Sequence, residues 1–202
     1  MELQFSKNDL GKIMVASAQN SYLTPEEYIE MEATSDIKHE YIAGDVYAMA
    51  GATDTHVTIA GNIFALLLSH LRDSGCRVYI SDMKVKIEAK NCFYYPDVIV
   101  TCEPEDRENS TYKQFPCLIV EVLSDSTEAF DRGDKFANYQ SLPSLQEYVL
   151  INTRKARIEC FRRTDNGLWL LQFYELDNIE FELTSIKLTA KIAQIYEFVN
   201  FA

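Results

Sequence analysis

No apolar run in the sequence approaches membrane-spanning length, so a transmembrane helix is not expected to organise the chain. No G-x-x-x-x-G-K-[ST], G-x-G-x-x-G or G-x-S-x-G occurs, and nucleotide-cofactor sites and the serine-hydrolase elbow lose their usual support. His39-Glu40 is not followed by a histidine three residues after Glu40, which removes the H-E-x-x-H zinc helix. Glycine (7) and proline (5) are scarce, whereas tyrosine (12) and phenylalanine (11) are plentiful. That balance favours strands and helices over long loops. The five cysteines, Cys76, Cys92, Cys102, Cys117 and Cys160, are odd in number and form no C-x-x-C pair. Several sit in apolar runs, as in Cys117-Leu118-Ile119. Free buried thiols in a reducing compartment are therefore expected, rather than a zinc site or a disulfide framework. The N-terminus carries Glu2 and no hydrophobic signal region, so the expected location is cytoplasmic.

Positive charge is also short. Lysine and arginine number 19 against 31 acidic residues, for a net charge of −12. An acidic surface opposes non-specific binding to a polyanion, nucleic acid included. Hydrophobic residues make up 47% of the 202, which argues for a globular chain over disorder. That length suits one domain able to bury a core without disulfides or structural metal. The expected organisation is an N-terminal arm over 1–22 and a single domain over 23–202.

Thr24-Pro25-Glu26-Glu27 reads as a helix start, with Thr24 as N-cap, Pro25 in first position and Glu27 closing a capping box. The helix should end near Thr34. His39–Ala50 reads as a hairpin around Gly44-Asp45. Thr53–Asp73 is the strongest helix, with His56, Ile59, Ile63, Leu66, Leu67 and His70 on one stripe. Strands are expected at 78–88, 93–102 and 117–123, with an exposed acidic loop at 103–110. A helix capped by Asp125 should run to about Ser141 and stop before Pro143. Further strands are expected at 147–152, 157–163 and 168–176, the last two joined through Asp165-Asn166-Gly167. Residues 190–201 read as a final helix. This is an α/β plan, a mixed sheet with helices on its faces.

Two carboxylates stand inside apolar strands. Asp97 lies in Tyr94-Tyr95-Pro96-Asp97-Val98-Ile99-Val100, and Glu121 in Leu118-Ile119-Val120-Glu121-Val122-Leu123. Desolvating a lone carboxylate is costly, so either residue alone reads as structural, ending a strand or pairing with an arginine. Two in successive core strands point to a shared site. Convergent carboxylates repel unless a cation sits between them, and all-oxygen ligation selects Mg²⁺ or Mn²⁺ over zinc.

Pro96-Asp97 followed by Glu121-Val122-Leu123 resembles the P-D…(D/E)-x-K motif of the restriction-endonuclease-like superfamily, and more closely its Uma-type branch. The supporting stretches include Leu23–Tyr28, His39–Val46, Ser81–Val85, Val120–Ser124 and Asp131–Phe136, and cover roughly residues 22–165. The resemblance implies a restriction-endonuclease-like core, a mixed central sheet flanked by helices with extra hairpins. It implies a metal held by Asp97 and Glu121, with Glu40 as a further acidic member, and phosphodiester hydrolysis in DNA. The motif's lysine position is Leu123 in this chain, and the branch pattern points to Lys135 on the following helix. A snorkelling lysine is the bland alternative. For Glu40 it is a surface charge at a strand start.

A structural role is the stronger reading for His56 and His70, with His56 neutral near a helix N-terminus and His70 at the core edge. Arg154, Lys155, Arg157, Arg162 and Arg163 cluster around one hairpin. They offer a local basic strip, although a solvated face is the expected use of Arg162 and Arg163. Any DNA affinity should be weak and salt-sensitive, with no membrane partner. A homodimer would suit cutting both strands of a duplex. The competing expectation is a catalytically weak or inactive interaction module of the same fold. A hydrolase acting on a small phosphorylated molecule is a third.

Overall fold

A computed structural model describes residues 22–201; the expected arm lies outside these residues except for Tyr22. The chain divides into two compact units, Met1–Ala50 and Gly51–Ala202, which are described in turn.

In the first unit, helix α1 (Pro25–Thr34) begins as its sequence dictates. The Thr24 hydroxyl accepts from the Glu27 N–H at 3.2 Å, and the Glu27 carboxylate accepts from the Thr24 N–H at 2.8 Å. Two otherwise unpaired donors are satisfied reciprocally. Strands β1 (His39–Ile42) and β2 (Asp45–Ala48) form an antiparallel hairpin in which His39 faces Ala48. Its turn is Ala43-Gly44, at φ 49° and 103°, both in the left-handed region that a tight two-residue hairpin turn demands. Tyr28 stacks on Tyr41 with ring centroids 5.1 Å apart, and its hydroxyl donates to the His39 carbonyl at 2.6 Å.

In the second unit, α2 (Asp54–His70) is capped by Thr53, whose hydroxyl accepts from the His56 N–H. Strands β3 (Arg77–Ile80), β4 (Lys84–Ile87), β5 (Cys92–Tyr94) and β6 (Val98–Thr101) follow. The single strands expected over 78–88 and 93–102 are thus each divided. Ser81 breaks the first, at φ 51°. Pro96 falls in the gap of the second, where it has no N–H to give a ladder. Each half then serves a different sheet: β3 pairs with β6, and β4 with β5.

The expected exposed loop at 103–110 contains α3 (Glu105–Glu108), and Asp106 in it is buried. Its carboxylate accepts from the Thr101 hydroxyl at 2.6 Å and from the backbone of Gln114 at 2.7 Å and Phe115 at 3.1 Å. Next come β7 (Tyr112–Lys113) and β8 (Pro116–Val122). The helix expected from Asp125 is two helices, α4 (Glu128–Arg132) and α5 (Asp134–Tyr139). Gly133 divides them at φ −107° and ψ −107°, and Thr127 stands at the N-cap in place of Asp125.

Strands β9 (Glu147–Ile151), β10 (Arg157–Arg163) and β11 (Trp169–Glu175) match the sequence reading. The C-terminal stretch does not. It holds β12 (Glu180–Leu183), β13 (Leu188–Lys191) and only a short α6 (Ile192–Ile195).

The large sheet has the order β11-β10-β9-β8-β6-β3. Its β8–β9 pair is parallel and its other pairs antiparallel. Alternation along β8 sends Leu118, Val120 and Val122 into the cluster built on Ile59, Ile63 and Leu67 of α2. Ile119 and Glu121 therefore face the opposite side. An aromatic layer covers that side: Phe136 of α5 stacks on Tyr148 at 4.8 Å, and Tyr139 lies 5.5 Å from the same ring. The result is the expected mixed sheet with helices on both faces.

One expectation about sulfur is corrected. Arg77 faces Thr101 across the β3–β6 ladder, so Cys76 and Cys102 meet at its end and form a disulfide. Cys92, Cys117 and Cys160 are free thiols. Among the described residues no helix is long and apolar enough to cross a membrane.

Candidate active site

Glu121 is 3% exposed, next to the last residue of β8. The Lys135 ammonium lies 2.9 Å from its Oε1 and 3.6 Å from Oδ1 of Asp131. The Tyr139 hydroxyl donates to the same Glu121 oxygen at 3.3 Å. Lys135 is 5% exposed, with its ammonium 5.6 Å from the centre of the Tyr94 ring. Burial first, then the charges of Asp131 and Asp97, hold the Glu121 carboxyl well above the usual carboxylate range, although Lys135 opposes them. The sequence reading missed Asp131 and Tyr139. A signal existed, since positions 131, 135 and 139 recur at helical spacing, and that face survives the division at Gly133.

Asp97 directly precedes β6. Extending the Val98↔Val120 register by one residue sets it opposite Glu121 on the neighbouring strand. Its Oδ2 accepts from the Val122 N–H at 2.7 Å and lies 3.3 Å from Nε2 of His56. The side chains of His56 and Asp97 are 16% and 18% exposed. Solvent thus reaches the Asp97 end of the site while Glu121 is sealed. Burial lowers the His56 pKa, but the hydrogen bond and charge of Asp97 outweigh it, and the net direction is upward. The histidine expected to be neutral and structural instead contacts the candidate carboxylate.

The structure therefore brings Asp97, Glu121 and Lys135 together and adds His56, Asp131 and Tyr139. Glu40 lies on β1 of the first unit, facing Tyr47 across the hairpin. His70 is the core-edge residue expected, bonded to the Ile186 carbonyl at 2.9 Å. Arg162 is not on a solvated face. Its Nε lies 2.7 Å from the buried Glu147 carboxylate, and its Nη2 donates to the Tyr174 hydroxyl at 2.8 Å.

No group of three or more His, Cys, Asp or Glu converges as a ready-made metal cage among the described residues. A soft or fully protein-ligated ion does not fit such a donor set. Mg²⁺ does, because it keeps most of its water and is held by one or two carboxylates together with substrate oxygens. Asp97 and Glu121 are the residues that could hold it. A cation between them would also relieve the repulsion that raises the Glu121 pKa.

A mixed sheet whose buried strand carboxylate pairs with a lysine of the covering helix, with an aspartate just before the neighbouring strand, defines a nuclease-like α/β protein. A crystal structure of a "putative nuclease belonging to DUF820" from Anabaena variabilis ATCC 29413 has this fold. It superposes with a TM-score of 0.72 over 88% of this chain and 99% of that one, at 13% identity. Two proteins of Synechocystis sp. (strain ATCC 27184 / PCC 6803 / Kazusa) are similar in sequence. Slr1290 is 40% identical over 185 residues, covering 92% of this chain and 97% of that protein. Sll1609 is 34% identical over 177 residues, covering 87% and 100%. The chain belongs to the Uma2 family, described as "Putative restriction endonuclease", whose sequence model matches residues 25–192.

Proposed function

We propose that this protein is an endonuclease dependent on Mg²⁺ or Mn²⁺ that hydrolyses phosphodiester bonds of DNA. The observation that carries the reading is the buried Lys135–Glu121 pair at 2.9 Å, with Glu121 on the strand next to Asp97 and Lys135 on α5. Asp97 and Glu121 would hold the ion. When bound, the ion supplies Lewis acidity toward a phosphoryl oxygen and a lowered pKa for its water. Lys135 takes the place of the lysine that Leu123 lacks. Its ammonium is fixed by Glu121 and Asp131 and stabilises negative charge developing on the phosphoryl group. The Val122 N–H and His56 orient the Asp97 carboxylate. A homodimer would present two such sites to a duplex.

The test is cleavage of end-labelled duplex DNA in Mn²⁺. Wild type should cut, and Asp97→Asn and Glu121→Gln should not. A second reading, a non-catalytic interaction module, is favoured by Leu123 and by the net charge of −12. Wild-type protein that binds Mn²⁺ but leaves DNA intact would support that reading instead.

A further inference from the structure

On the sheet face that carries Glu121 there is a groove of about 510 Å³. Its cations are Arg132, Arg154, Lys155 and Arg157, against two carboxylates, Glu128 and Glu159. Arg154 also pairs with Asp125, and Arg157 with Glu159 and Glu175, so charge is balanced around the groove in a chain of net charge −12. Phe173, 45% exposed, forms part of its wall. Ladder partners place the groove relative to the candidate site: Glu121 faces Leu150, Leu150 faces Glu159, and Glu159 faces Phe173. Directly paired residues project from the same side of a sheet. At about 4.8 Å per strand the row from Glu121 to Phe173 spans about 14 Å.

The basic tip of the groove is a built feature. Asn152 is buried, and its Oδ1 accepts from the backbone N–H of Arg154 at 2.8 Å and of Lys155 at 3.1 Å. The Thr153 hydroxyl donates to the Leu123 carbonyl at 2.8 Å. The tip is thereby tied to the end of the strand that carries Glu121. The Tyr196 hydroxyl lies within hydrogen-bond reach of the Asn152 and Arg157 carbonyls, at 3.1 and 2.9 Å, and accepts from the Arg157 N–H at 3.0 Å, fixing both ends of the turn.

Arg154 contacts Glu128 at 2.6 Å and Asp125 at 3.4 Å, with its side chain 64% exposed. An exposed pair of this kind is weak and can be exchanged for a phosphate. Lys155 is exposed, and its ammonium has no carboxylate partner among the described residues. The Arg157 guanidinium lies 4.2 Å from the Phe173 ring centre, forming a flat cation–aromatic platform.

We infer that this groove is a subsite for a nucleic-acid strand. Arg154 and Lys155 contact backbone phosphates on one side of the bond to be cut, and the Arg157–Phe173 platform stacks on a base. The inference rests on the nuclease reading for the position of that bond, but the binding it describes can be measured apart from cleavage. Phosphate contacts give affinity without sequence preference, and stacking on an aromatic face tolerates any base. The groove therefore serves backbone tracking rather than sequence readout.

The experiment uses the full chain and a fluorescent 20-nucleotide oligonucleotide, single-stranded and as duplex. Affinity is followed by anisotropy in Ca²⁺ across a salt series. R154A/K155A should weaken binding about ten-fold and lower the salt slope by about two phosphate contacts. Phe173→Ala should weaken single-strand binding roughly five-fold or more. K90A/K187A removes the same charge outside the groove and should leave affinity unchanged. Equal affinity and slope for wild type and R154A/K155A would overturn the subsite. So would an equal loss in K90A/K187A, or wild type that binds no oligonucleotide. Cleavage in Mn²⁺ is scored separately. Groove-dependent binding without cleavage would remove the nuclease reading and keep the subsite. Cleavage with an unchanged KM in R154A/K155A would do the reverse.

Discussion

Lys135 and Glu147 are both charged groups inside the fold, and each gives a test at the scale of one residue. Lys135 neutralises Glu121 and faces Asp131. Lys135→Met leaves two carboxylates without their cation and should cost about 3–5 kcal/mol of stability, read from urea denaturation. If Lys135 stabilises the transition state, the same variant should lose about 10²–10³-fold in turnover while keeping its Mn²⁺ affinity. Wild-type turnover in Lys135→Met would remove it from the mechanism. Burial would raise the pKa of Glu147, but hydrogen bonds from Ser185, Arg162 and Thr184 prevail and hold it below the usual carboxylate range. A depressed carboxylate contributes stability above its unfolded pKa and loses it as pH falls through the folded value. Glu147→Gln should therefore cost about 2–4 kcal/mol at pH 7, and the gap to wild type should narrow below about pH 4. A gap constant from pH 7 to pH 3 would refute the assignment. Asp97 and Glu121 were legible only as a pair, because either alone has a structural explanation while two carboxylates in successive apolar strands point to one site. His56 was not, because helical spacing gave it a place on an apolar stripe and cannot show that the first turn of α2 meets Asp97.

At the scale of elements, the sequence displays periodicity but not the points where a strand changes sheet. Apolar alternation continues through Ser81 and Tyr95-Pro96, so 78–88 and 93–102 read as two strands where the structure has four. The cap of α1 and the hairpin turn at Ala43-Gly44 were readable because each is a local bargain between neighbouring residues. Register between distant segments is not local, and the Cys76–Cys102 disulfide is its chemical consequence. The loop it closes spans 26 residues, and chain entropy assigns such a cross-link about 3–4 kcal/mol. C76S/C102S should therefore lower stability by about 2–4 kcal/mol in unfolding experiments without reductant. Cys117, whose thiol burial pushes up to about 11, should alkylate slowly at pH 8 in the native protein. Peptide mapping without reductant that finds Cys76 and Cys102 both alkylated would remove the bond. Stability of the double variant equal to wild type would show that it contributes little.

For the whole molecule, the acidic balance joins stability to the candidate site. Net charge of −12 was visible from composition alone, as was the implication that any hold on DNA is weak and salt-dependent. Composition does not show that Asp131 and Asp97 add to the cost of ionising the buried Glu121 inside one fold. A divalent ion that binds only the folded chain stabilises it by RT ln(1 + [L]/Kd), about 2.7 kcal/mol at one hundred times Kd. Wild-type protein should then melt higher in Mn²⁺ than in EDTA. Asp97→Asn keeps the side-chain shape and removes one charge from the repelling group, but it weakens the acceptor for the Val122 N–H and the contact with His56. These effects oppose each other, so the metal-free melt of the variant should stay within about 1 kcal/mol of wild type. Its response to Mn²⁺ should vanish, and cleavage with it. A purely structural Asp97 predicts a different pair of curves: a variant clearly destabilised in EDTA, and a wild type indifferent to Mn²⁺. Four melts, wild type and Asp97→Asn with and without the ion, decide between them. Wild-type indifference to Mn²⁺ would end the metal-site proposal whatever the DNA assay reported, because an ion that does not favour the folded state is not held by it.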